Sequence, residues 1–169
     1  MTKLDVGAIE ALAIDVRQQL SPGLSVLDAV PFLALVRQAL ITKVVVRVRC
    51  HPGLARDTYA FTTFDEANDA WIWLNTEAWS EVAPGVPRTR FTLAHELGHV
   101  ALHSNELDEL EVKAEPDHDE RLDREANRFA AHLLIPDAAL KSLVRARAED
   151  VARRFGVSVS TAARRLEER

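Results

Sequence analysis

Residues 90–102 read RFTLAHELGHVAL, and the two histidines and the glutamate inside this stretch decide how the rest of the chain is read. Leu93, Leu97, Val100 and Ala101 recur with helical spacing, so the segment forms one amphipathic helix anchored by that stripe. Four residues advance a helix by about 6 Å, which lets the imidazoles of His95 and His99 share one metal ion; zinc suits such a pair. Glu96 flanks the same face, where a general base must stand to take a proton from water. Gly98 costs about 1 kcal/mol relative to alanine inside a helix, which points to close approach by another backbone. Thr89, just after Pro87, fits the N-cap. The plain alternative, two solvated histidines on a surface helix, leaves the stripe and a second motif downstream unexplained.

Zinc takes a third protein ligand and keeps a fourth position open for water or substrate. His103 continues the four-residue spacing but lies about 12 Å along the axis from His95, out of reach of the same ion. It is therefore a candidate for the rim of the cleft or for substrate contact. The second motif is LDREANRFAAHLLIP, residues 122–136, in a helix predicted over about 119–135. Leu122, Ala126, Phe129, Ala130 and Leu133 form its inward stripe, and Pro136 marks its end. Asp123 lies on the side of Asn127, Ala130 and Leu134, and Glu125 on the side of Phe129 and His132. Periodicity alone does not choose between these acids as third ligand. His132 reads as exposed.

These paired motifs, RFTLAHELGH and then an acid, Ala-Asn, Phe-Ala-Ala and Leu-Leu-Ile-Pro, resemble the ImmA/IrrE family of zinc metallopeptidases, over about residue 71 to the carboxyl terminus. The resemblance implies that His95, His99 and Asp123 are the metal ligands, because the family places an acid, usually Glu, four residues before this Asn. Aspartate is one methylene shorter and requires closer approach of the two helices. Asn127 is then implied to orient a metal-bound histidine from outside the ligand set. Glu96 is implied as the catalytic base, with His103, His132 or a side chain of the intervening acidic stretch as candidates to help stabilise an oxyanion. The implied reaction is zinc-dependent hydrolysis of a peptide bond. The implied substrate is a helix-turn-helix transcriptional repressor, cut to control genes of a phage, mobile element or stress response. Two other function classes stay open: a zinc-containing module that sequesters a regulator without cutting it, and a DNA-binding regulator acting through the tail.

With 169 residues, 47% of them hydrophobic, the chain can bury one core and carry a small appendage; the division expected is residues 1–140 for the metal-binding domain and 141–169 for a helical tail. Cys50 is the lone cysteine, so no internal disulfide framework exists, and no apolar run approaches a membrane span. The amino terminus has no secretory signal pattern, and the cytoplasm is the expected location. Cys50 and His51 are followed at once by Pro52 and Gly53, which reads as a strand running into a turn and not as a metal pair.

Charge is distributed unevenly around a net −5. Residues 104–125 hold ten acids and three bases, read as a solvated loop joining the two metal helices or covering the cleft as a lid. Residues 141–169 reverse the balance, with eight bases and four acids. Within them, residues 148–169 read helix, glycine turn, helix, the pattern of a helix-turn-helix. Arg165 falls where that motif calls for a buried aliphatic residue, and Arg153, Arg154, Arg164 and Arg165 read as solvated faces. Direct reading of DNA by the tail is not expected.

Toward the amino terminus, helices are predicted over residues 4–20, with Ala8, Ala11, Leu12 and Val16 among the spaced apolar positions, and over 27–40. Strands follow at 43–49, 58–64 and 71–75. Val44, Val46 and Val48 share one face of the first strand, opposite Arg47 and Arg49. Trp71 and Trp73 read as core, and the strand carrying them as the one beside the metal helix that offers its edge to an extended substrate. Two helices, a three-stranded sheet and then the metal helices make an α+β, zincin-like domain.

Overall fold

A computed structural model describes residues 5–110 and 116–168, with side chains described as far as residue 104 and again from residue 120. The first helix, α1 (Val6–Leu20), is capped by Asp5, whose carboxylate accepts from the Gly7 amide at 3.2 Å. Its buried face is Ile9, Ala13, Val16 and Leu20, while Ala8 and Ala11 are exposed. The stripe is thus rotated from the expected one, toward the face shared with Arg17. Arg17 is fully buried: its guanidinium donates to the Leu133 and Ser25 carbonyls, both at 3.0 Å, and to the carbonyl of Asp28. Three carbonyls thus hold the two terminal nitrogens of the buried cation, while its Nε has no partner among the described residues, and the Leu133 bond ties α1 to the end of the helix carrying LDREANRF.

The helix expected over residues 27–40 is instead a single short turn, α2 (Phe32–Val36), followed by a strand, β1 (Ala39–Ile41). Pro31 fixes the start of α2, and β1 folds back on β2 (Val44–Cys50) through Thr42 and Lys43, at φ +49° and +73°. Two consecutive left-handed residues are what a two-residue hairpin demands, but Thr-Lys lacks the glycine or asparagine that would announce one. The sheet is completed by β3 (Ala60–Phe64) and β4 (Ala70–Leu74), so the three strands expected become four, in the order β1-β2-β4-β3. β2 runs parallel to β4, and β3 antiparallel to it. The strand carrying the tryptophans is therefore internal, and the edges belong to β1 and, on the side nearest α4 (Pro87–Leu110), to β3, which corrects the expected placing.

Val44, Val46 and Val48 of β2 and Ala70, Ile72 and Leu74 of β4 are buried against the helices. The alternation sends Trp71 and Trp73 to the other face, half-buried, so they are not core. Their rings stack at 5.6 Å, Arg47 lies 5.1 Å from the Trp71 ring centre, and their indole N–H groups donate to Asp65 and Thr63. A strand this apolar hides which face is inward, because two tryptophans on an outer face can be covered by each other and by arginine stems.

After α3 (Thr76–Ser80) come the two long helices, α4 (Pro87–Leu110) and α5 (Pro116–Leu134). Pro87 opens α4, where its missing N–H costs nothing. Thr89 is not the N-cap: it lies within the first turn, fully buried, with its hydroxyl 2.7 Å from the Tyr59 hydroxyl and 2.5 Å from the Glu81 carboxylate. Both helices reach far into the acidic stretch, which corrects the long loop. Glu and Leu are strong helix formers, so helix extends into a charge run that the sequence suggests is loop. Residues 111–115, on which the lid reading falls, lie outside the described residues.

α4 and α5 cross at Gly98. A Cβ on it would stand 3.0 Å from the Ala126 Cα and 3.1 Å from the Ala126 carbonyl oxygen, so this close approach requires glycine. The chain continues through α6 (Asp137–Ser142), α7 (Ala148–Phe155) and α8 (Val159–Glu167). Gly156, at φ +66°, caps α7, and the Ser158 hydroxyl caps α8 by accepting from the Thr161 amide. Val151, Phe155, Val157 and Ala162 share the same buried cluster as the sheet and the long helices. Arg165 is buried as well, contrary to a solvated face, and donates to the Ile135 carbonyl at 2.9 Å, to Glu168 at 2.5 Å and to Asp137. Arg153, Arg154 and Arg164 are exposed. Among the described residues no helix is long and apolar enough to cross a membrane.

Candidate metal centre

Helical spacing sets the His95 and His99 rings 4.7 Å apart, nearly perpendicular, with their Nε2 atoms at 3.0 Å. The crossing at Gly98 brings the middle of α5 against them. One turn before Asn127, the Asp123 carboxylate reaches 3.3 Å from the His99 Nε2 and 3.7 Å from the His95 Nε2. Tetrahedral bonds of about 2.1 Å separate neighbouring ligand atoms by about 3.4 Å, and the three distances found here straddle that value. His95, His99 and Asp123 therefore fit a zinc ion as ligands, and the shorter aspartate is accommodated by the tight helix crossing.

The second nitrogen of each histidine is also engaged. His95 Nδ1 lies 3.1 Å from the Asn127 amide oxygen, so the Nδ1 proton is donated there and the Nε2 lone pair is left for a metal. His99 Nδ1 lies 3.4 Å from His103 Nδ1, and His103 Nε2 lies 3.1 Å from Glu125 Oε2. The Arg121 guanidinium in turn donates to that carboxylate oxygen at 3.1 Å. His103 is fully buried, which corrects its placing at the rim of the cleft. Glu125, 5% exposed, is turned toward His103 and away from the Asp123 cluster. Burial, with His95 and His103 nearby, pushes the His99 imidazole down to about 3, so it is neutral near pH 7.

Glu96, 7% exposed, accepts from the Thr62 hydroxyl of β3 at 2.6 Å. Burial raises its carboxyl above the usual range, opposed by the Thr62 bond and by His95. A raised carboxyl pKa suits a group that must take up a proton and give it back. A lone threonine in a strand carries no sequence signal for such a role, and Thr62 is visible only once β3 lies beside α4.

Among the described residues a second group of potential ligands, Glu10, His132 and Asp137, lies together. His132 is buried, not exposed as expected, because the tail packs over it. The Arg165 guanidinium already bonds Asp137 and sits 3.4 Å from His132 Nδ1. The positive charge of this cluster is supplied by the protein itself, and it is an ion-pair network.

A comparison with curated protein sequences gave no match. Among solved structures, a Mycobacterium tuberculosis transcriptional regulator superposes with a TM-score of 0.59 at 16% identity, over 94% of this chain and 46% of that one. This likeness is one of fold, and the chain spans less than half the length of its neighbour. The model of the IrrE N-terminal-like domain, Peptidase_M78, matches residues 84–167, a stretch that starts just before α4 and runs through α8. The helix of the two histidines, the helix of Asp123 and the tail packed on them thus fall within one match, and by it the chain belongs to the ImmA/IrrE family of metallopeptidases.

Proposed function

We propose that this protein is a zinc-dependent peptidase in which His95, His99 and Asp123 hold the metal and Glu96 is the general base. The observation that carries the proposal is the meeting of three ligand atoms 3.0–3.7 Å apart on two helices locked together at Gly98. Bound zinc supplies Lewis acidity, polarising a scissile carbonyl and making water a better acid. Glu96 is held by Thr62 through Oε2, which leaves Oε1 to take the proton of the attacking water and deliver it to the leaving amine. Asn127 and the His103–Glu125 pair keep the two imidazoles in the required tautomer. Among the described residues β3 pairs with β4 alone, which leaves its outer edge for an extended polypeptide bound by main-chain hydrogen bonds.

The substrate we propose is a helix-turn-helix transcriptional repressor, with cytoplasmic action on a regulatory circuit. Family membership supports that direction, as does the likeness in fold to a protein described as a transcriptional regulator. Residues 1–140 are proposed as the catalytic unit and 141–169 as a helical appendage that does not itself read DNA. The test is incubation of the purified protein with repressors encoded beside it. Cleavage is expected with zinc and is expected to stop with a chelator or with Glu96→Gln. Failure to cut any of them, or equal cutting by Glu96→Gln, overturns the proposal. A Glu96→Ala protein that retains its full cellular effect instead favours sequestration without cleavage.

A further inference from the structure

A cavity of about 720 Å³ lies between α1, α5 and α8, and its lining includes Asn127, the residue bonded to His95. Its walls hold five guanidinium groups against two carboxylates, in a chain whose net charge is −5. Most of these charges are already matched: Glu125 by Arg121, Glu168 by Arg165, and Arg124 pairs with Glu120 on the surface. Arg128 of α5 and Arg164 of α8 make no hydrogen bond or ion pair among the described residues, and both face this space. Both are exposed, and two cations unmatched by protein groups beside one cavity favour an anion there.

We infer that this cavity is an anionic subsite of the metal cleft, which receives the carboxylates of an acidic segment of the polypeptide substrate; it rests on the peptidase reading given above. Three observations favour a peptide over a small free anion. The volume far exceeds that of one phosphate. The walls alternate charge with Val6, Ile9, Phe91 and Ala131, which suit the carbon parts of side chains. Arg124, whose exposed pair with Glu120 is weak and exchangeable, and Arg128 lie one turn apart, about 6 Å along the axis, close to the roughly 6.6 Å between side chains i and i+2 of an extended strand. An extended segment with acids at alternate positions can therefore meet successive guanidinium groups, each in a charge-assisted bond. Asn127 lines the cavity and also bonds His95, so a segment held here lies one residue removed from the histidine pair.

The test uses the full chain, zinc-loaded and carrying Glu96→Gln, so that binding is read without cleavage. The probes are a fluorescent ten-residue glutamate peptide and its glutamine counterpart. The glutamate peptide is expected to bind at least tenfold more tightly, with affinity falling as salt rises. The double variant Arg128→Gln, Arg164→Gln is expected to lose that preference while keeping its melting temperature and zinc content. Arg153→Gln, an exposed arginine outside the cavity, is expected to change nothing. Equal binding of the two peptides, or an equal loss with Arg153→Gln, overturns the subsite. So does saturation by inorganic phosphate without any peptide binding, which marks a free-anion site. Repressor cleavage by the unsubstituted chain is a separate measurement, so failure of hydrolysis and failure of this subsite are told apart.

Discussion

His103 Nε2 lies 3.1 Å from Glu125 Oε2, both side chains are buried, and the other nitrogen of His103 faces His99. The order of protons along this chain follows from its two ends. If His99 offers Nε2 to a metal, its proton is on Nδ1 and points at His103, whose own proton then goes to the carboxylate. His103→Ala is expected to weaken zinc binding by about 10- to 100-fold without removing a ligand. Competition with a chelator of known affinity measures this, and an unchanged zinc affinity contradicts the relay.

Two acids of α5 are equal candidates by spacing, and their environments separate them. Asp123 is 64% exposed at the mouth of the histidine pair, whereas Glu125 is committed to His103 and Arg121. Asp123→Ala is expected to abolish stoichiometric zinc in the purified protein. Glu125→Ala is expected to retain zinc at reduced affinity and to lose stability, by about 1–2 kcal/mol, since it removes the carboxylate that bonds both buried His103 and partly buried Arg121. Metal analysis beside thermal melts separates the two, and loss of zinc in Glu125→Ala alone reverses the assignment.

Gly98→Ala is expected to damage the centre from behind. The added methyl meets the backbone of Ala126, which cannot rotate away as a flexible side chain would. α5 must then move off α4, at a cost of about 1–3 kcal/mol, and Asp123 moves with it. The expected outcome is a folded protein with a lower melting temperature and weakened zinc binding; a variant with unchanged zinc affinity shows that Asp123 does not depend on this crossing.

The helix of the two histidines, the inward stripe of α5 and the close approach at Gly98 are legible in the sequence because each is local. They are matters of a four-residue period and one small residue. What the sequence hides depends on partners distant along the chain. Thr62 meets Glu96 only through the pairing of β3 with β4, and the hairpin at Thr42 and Lys43 uses residues with no turn signature. Size alone sends Trp71 and Trp73 inward, yet a strand's period fixes only that they share a face. Residue type sends Arg165 and His132 to solvent, and each is buried because the other helix brings its partner.

That last pair carries a pH dependence. Burial and then the Arg165 charge hold His132 below its ordinary 6.5. Its contribution to stability is complete above about pH 6.5 and is lost as pH falls toward its folded value. Burial alone would raise Asp137, but the Arg165 bond and charge, with His132, hold it below 3.8, so its contribution is also lost in acid, at lower pH. Glu10 runs the other way: burial and the neighbouring Asp137 raise it above 4.5, so its proton uptake on folding offsets part of the loss as pH falls through that range. The melting temperature is therefore expected to decline from about pH 6.5 downward, with buried His99, held down to about 3, contributing as well, and His132→Gln to make the decline shallower. Arg165→Met, which leaves half-exposed Asp137 without its guanidinium, is expected to cost about 2–3 kcal/mol at neutral pH, or roughly 5–10 °C. A decline between pH 7 and 5 that is equally steep in His132→Gln and in the unsubstituted protein would show that the tail is not held by this cluster.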